Sequence, residues 1–96
     1  MEEEALRFLH EGLANNPDSW EIYNEMGMIH FSVIKDYGRA LEYFQRAGEH
    51  MGPQGADDFD KSHVYAFLAG CYEKLGQAGK SEEFFNLSRE LLPRRE

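Results

Sequence analysis

The chain has 96 residues, 42% apolar and 29% charged, which suits one small domain with a large share of its surface in water. Its formal charge of −8 opposes binding to phosphate backbones by counterion release, so no nucleic acid is expected as a partner. The single cysteine, Cys71, closes no internal disulfide and supplies no cysteine-based zinc site, and it fits a reducing compartment.

The opening Met-Glu-Glu-Glu has neither the basic nor the apolar region of a secretory signal, and no apolar run approaches the length of a membrane span. The expected location is cytoplasmic, with no membrane partner. Glu2, Glu3 and Glu4 complement the positive end of a helix dipole and favour a helix start there. Ala5, Leu6, Phe8, Leu9 and Leu13 then form a wide apolar stripe, which Asn15, Asn16 and Pro17 bring to a stop. His10-Glu11 is similar to the start of a zinc-protease H-E-x-x-H motif, but Ala14 stands where the second His would be, so that site is excluded.

Asp18 and Glu21 read as a capping box for a second helix predicted to run to about Val33 or Ile34. Trp20, Ile22, Tyr23, Met26, Met28, Ile29, Phe31 and Val33 make it apolar nearly all round, the pattern of a helix buried on more than one side. Asp36 is placed to cap a third helix, whose Tyr37, Ala40, Leu41, Phe44 and Ala47 face the core. Residues 48–58 contain Gly and Pro breakers without an apolar period and read as the only real loop, expected to be mobile. Asp57, Asp58 and Asp60 lack the alternating ligands, turn Gly and closing Glu of a calcium loop; they read as the cap and first turn of a fourth helix. Phe59, Val64, Phe67, Leu68, Cys71, Tyr72 and Leu75 carry that helix to a stop at Gly76. A fifth helix follows, with Ser81, Phe84, Phe85, Leu87, Ser88 and Leu91 apolar or small, ahead of Pro93.

An internal repeat runs through these elements. Small, large and small residues at i, i+4 and i+7 occur as Ala5, Leu9 and Gly12, as Ala40, Phe44 and Ala47, and as Ser81, Phe85 and Ser88. Pro17 and Pro93 follow the first and third sets at one distance, and Pro53 follows the second one residue late. Ahead of the second and third sets, Tyr23, Met26, Gly27 and His30 match Tyr65, Leu68, Ala69 and Tyr72. One extra residue lies between Gly27 and Ala40 relative to Ala69 and Ser81. The pattern resembles the tetratricopeptide repeat, W-x2-L-G-x2-Y, then A-x3-F, then P. Tyr23 and Tyr65 replace the Trp, and His30 replaces the final aromatic that Tyr72 keeps. The resemblance covers residues 2–17 as the second helix of a truncated repeat, with complete repeats at 18–53 and 59–93. It implies an all-α fold, a right-handed α-α superhelix of five antiparallel helices in one domain, residues 1–96.

No catalytic constellation stands at a spacing with mechanistic force, so no enzyme, metal or cofactor is expected. His30 reads as a half-buried packing residue and Cys71 as a small core residue. The resemblance implies a concave groove lined by the first helix of each repeat, formed here by Glu21, Asn24, Glu25, Met28, Phe31 and Ser32 and by His63, Ala66, Phe67, Gly70, Glu73 and Lys74. The bland alternative is that this stripe is only a solvated side. Met28, Phe31 and Phe67 beside Glu21 and Glu25 suit a protein or peptide with apolar anchors and basic residues. The co-chaperone type of groove, which grips a C-terminal carboxylate with cations, does not fit, because Glu21 and Glu25 would repel that group. The competing function is homo-oligomeric assembly through uncapped ends, where apolar faces of the first or last helix pair with another copy.

Overall fold

Apolar residues at three- and four-residue spacing between strong stops produce five α-helices in the computed structural model, which describes residues 2–52 and 55–92. They are α1 (Glu2–Asn15), α2 (Trp20–Ile29), α3 (Tyr37–Met51), α4 (Asp58–Lys74) and α5 (Ala78–Leu91), with a π-helical turn (His30–Ile34) closing α2. No strand occurs among the described residues. Each helix packs chiefly on its neighbours in sequence: α1 on α2, α2 on α3, α3 on α4 and α4 on α5. The repeat boundaries at Pro53 and Pro93 lie outside the described residues.

The helix starts are set by short side chains that satisfy free N–H groups. Asp36 Oδ1 accepts from Arg39 N at 3.1 Å and Asp57 Oδ1 from Asp60 N at 2.8 Å, as their positions in the sequence suggest. The cap of α2 differs from expectation. Ser19, rather than Asp18, is the capping residue, its Oγ accepting from Ile22 N at 3.3 Å. Tyr23 secures the same turn by donating its hydroxyl to the Pro17 carbonyl at 3.0 Å, and Asp18 approaches His50 of α3 at 3.8 Å.

The expected loop at 48–58 is shorter. Helix α3 continues through Gly48 to Met51, because Met51 extends the stripe of Phe44 and Ala47 by one turn and is itself buried. The Met51 carbonyl then accepts from Ala56 N at 3.0 Å, and Ala56 packs on the core. Gly48 is tolerated inside a helix held by tertiary contacts, which outweigh its weak propensity.

The extra residue between Gly27 and Ala40 has a definite place. In the second pair of helices, Gln77 N–H donates to the Tyr72 carbonyl at 2.8 Å across Gly76, whose φ is +78°. In the first pair, Asp36 N–H donates to the His30 carbonyl at 2.9 Å across Lys35, whose φ is +62°. Lys35 thus matches Gly76, and Asp36 matches Gln77. The insertion falls between His30 and Lys35, where the backbone widens into the π-helical turn, and every later residue keeps its register.

The core joins Tyr23, Ala40, Phe44, Ala47, Met51, Val64, Leu68 and Cys71. Phe44 is its centre, fully buried between two helices: its ring stacks on Phe67 of α4 at 4.9 Å and lies against Gly27 of α2. A Cβ at Gly27 would sit 2.8 Å from that ring, so the small residue sets the closeness of α2 and α3. Between α4 and α5 the close approach is polar. Ser62 Oγ donates to the Ser88 carbonyl at 3.0 Å and Ser88 Oγ to the Ser62 carbonyl at 2.8 Å, both within a buried contact.

Several apolar residues stand outside this core, contrary to the stripes read from the sequence. Phe8 on α1 and Phe59 at the start of α4 are exposed, as are Val33 and Ile34 at the end of α2. Helix α2 is therefore buried on its Tyr23, Met26 and Gly27 side, and the exposed residues are Ser32, Val33 and Ile34 of the π-helical turn that follows it. In α5, Phe84 rather than Phe85 turns inward and stacks on Tyr72 at 5.5 Å.

Candidate functional site

The last residues of α2 and the middle of α4 meet through aromatic rings. Phe31, in the π-helical turn, stands edge-on to Phe67 at 5.8 Å and edge-on to Tyr37 of α3 at 5.3 Å. His63 lies edge-on to Phe67 at 4.9 Å, one helical turn earlier in α4. Gly70 gives Phe31 room, since a Cβ there would stand 3.3 Å from its ring. The result is a hollow of about 190 Å³ lined by Phe31, Ala66, Phe67 and Gly70. A roomier hollow of about 360 Å³ lies at the turn between α1 and α2, among Asn15, Asn16, Pro17, Asp18, Ser19 and Glu21. That one is lined by polar residues and Pro17, so it offers no apolar anchor point of the kind ligand pockets use.

Of the residues read from the sequence as partner-binding, Phe31, His63 and Phe67 are brought together, while Asn24 and Met28 form a second group on α2. Asn24 is a correction to the reading of an open stripe. It is buried, with Nδ2 at 3.6 Å from the weak acceptor Met28 Sδ, and its Oδ1 meets no hydrogen-bond partner among the described residues. Met28 is half-buried against the core. Glu21, Glu25 and Glu73 are exposed and make no ion pair among the described residues. Phe67 also departs from the simple stripe, because one face stacks on Phe44 while its edge reaches Phe31 and His63.

Tyr37 is the rim residue that sequence reasoning assigned only to the core. Its ring meets Phe31 on one side and lies 5.9 Å from Lys74 Nζ on the other. The signal was present, since an aromatic directly after the capping Asp36 sits on the first turn, beside the end of the preceding helix.

His30 is buried rather than half-buried. Its Nδ1 lies 2.8 Å from the Met26 carbonyl, which only accepts, so Nδ1 carries the hydrogen, and its ring packs on Tyr43 at 5.0 Å. Burial pushes the Cys71 thiol up to about 12 from its ordinary 9.0, which keeps it protonated and unreactive at neutral pH. No three His, Cys, Asp or Glu residues gather into a possible metal site among the described residues, and no described helix is long and apolar enough to cross a membrane.

Comparison with protein-family models and with characterised proteins finds no match for this chain.

Proposed function

We propose that this chain is a non-catalytic protein-interaction module of the tetratricopeptide type, taking an extended peptide or a partner helix along α2 and α4. The observation that carries the reading is the apolar hollow between Phe31, Ala66, Phe67 and Gly70, among the residues that the resemblance to tetratricopeptide repeats would place in a groove. The hollow accommodates one apolar side chain of a partner, and the surrounding aromatic edges suit an aromatic or large aliphatic group. Exposed Glu21, Glu25 and Glu73 on the same two helices favour Lys or Arg flanking that anchor. Within this reading the five helices form a short right-handed superhelix, and the protein acts in the cytoplasm as a scaffold or adaptor.

Selection from a displayed library of short random peptides tests the reading. Recovered peptides should carry an aromatic or aliphatic anchor with nearby Lys or Arg, and should lose binding to an Ala66→Lys variant that fills the hollow. Peptides that bind this variant as well as the parent would place the interaction elsewhere.

A further inference from the structure

The α3 face that α4 covers has a bare counterpart on α5. Phe85 occupies the repeat position of Phe44, and Leu92 that of Met51. On α3 these residues are 0% and 2% exposed; Phe85 on α5 is 41% exposed, and Leu92, just past its end, 40%. What covers the α3 face is a helix that brings an aromatic ring, Phe67, flat onto Phe44. No described element does the same for Phe85.

We infer that this α5 face pairs with the same face of a second copy, the two α5 helices lying antiparallel about a two-fold axis beside Phe85. Such an arrangement is self-complementary. Phe85 of each copy meets Phe85 of the other and supplies the aromatic contact that Phe67 supplies to Phe44. Leu92 at one end falls over Ala78 at the other copy's helix start, where the small exposed residue leaves room. Charge fixes the register. Glu82 and Arg89 lie one turn to either side of Phe85 on the same flank, both exposed, so reversing the second helix sets each Glu82 opposite an Arg89. A parallel pair would instead carry the Glu82 and Arg89 flanks to opposite sides of the seam, so that no Glu82 faces an Arg89. Leu87 projects from the far side of α5 and takes no part.

Sedimentation equilibrium of the full chain from micromolar to near-millimolar concentration tests this. The parent should form a reversible dimer. Phe85→Glu should raise the dissociation constant at least about 30-fold for each copy of the residue, with the circular dichroism spectrum unchanged. Glu82→Arg should weaken the dimer, and Glu82→Arg combined with Arg89→Glu should restore it, whereas Leu87→Glu should leave it as in the parent. A monomer at every concentration would overturn the inference and leave the face to a different occupant. So would a dimer that survives Phe85→Glu, or one lost on Leu87→Glu.

Discussion

Replacing Gly27 with Ala sets two known effects against each other, and the structure decides the sign. On helix propensity alone the change should stabilise the protein by about 1 kcal/mol, because Gly27 lies inside α2. The new methyl, however, would stand 2.8 to 2.9 Å from three atoms of the Phe44 ring. That ring has nowhere to go: it is fully buried, and Phe67 is stacked on it at 4.9 Å. Overpacking of this kind typically costs about 1–3 kcal/mol, and three simultaneous contacts with an immobile ring favour the upper half of that range. The net expectation is a loss of about 1–2 kcal/mol. Urea titration followed by circular dichroism measures it, with two controls. Ala69 occupies the matching position in α4, and Ala69→Gly should cost about 1 kcal/mol with no compensating relief. In a Phe44→Leu background, where the ring is gone, Gly27→Ala should turn neutral or stabilising, a coupling that a double-mutant cycle reads directly. If Gly27→Ala alone stabilises the protein by the propensity value, the close approach of α2 and α3 is wrong.

The π-helical turn gives a second pair of expectations: deleting exposed Val33 should restore an α-helical end like that of α4 and leave a cooperative melt, while Lys35→Gly should stabilise by about 1 kcal/mol by relieving the positive φ. Loss of cooperative folding on the deletion, or destabilisation by the Gly, would contradict the assignment of the extra residue. Ser62→Val should cost about 1–3 kcal/mol in a urea titration, since it crowds the approach of α4 to α5 and removes the contacts of Ser62 Oγ with the Ser88 carbonyl and hydroxyl. Cys71 should resist a thiol reagent until the protein unfolds. A thiol whose pKa rises on folding stabilises the fold fully below its ordinary 9.0, and that contribution is lost as pH rises from 9.0 toward about 12. Stability measured against pH should therefore fall more steeply there in the parent than in Cys71→Ala, and equal slopes would contradict the burial argument.

Helix existence was legible because caps and breakers bound the apolar stripes, and because α1, α3 and α5 each carry a small-large-small line that only a helix brings to one face. The cap at Asp36 was legible for the same local reason, as was a cap from one of Asp57, Asp58 and Asp60, which the structure gives to Asp57. What the sequence did not disclose depends on neighbours. Phe85 and Phe44 occupy one pattern position, yet among the described residues Phe44 has the α4 ring of Phe67 stacked on it and Phe85 has no such cover, so their burial differs although their place in the pattern does not. Gly48 looked like a breaker until Met51 found a buried place one turn further on. Asn24 looked like part of an open stripe, yet it is buried beside Met28. Phe67 shows the same limit within the candidate site, because it packs on the core and lines the hollow, so that truncating it to Ala lowers stability and binding together. Ala66 is the cleaner probe, since it lines the hollow and is absent from the aromatic contacts beneath it.

The claim that the α2–α4 side is where a partner sits is tested most directly by amide chemical-shift mapping with a peptide selected as above. Titrated into the isotopically labelled chain, it should move the signals of Phe31, His63, Ala66, Phe67 and Gly70 first and most, and the Ala66→Lys variant should abolish those shifts. Shifts confined to Phe85, Arg89 and neighbouring residues of α5, with those of Ala66 and Gly70 unmoved, would contradict the groove.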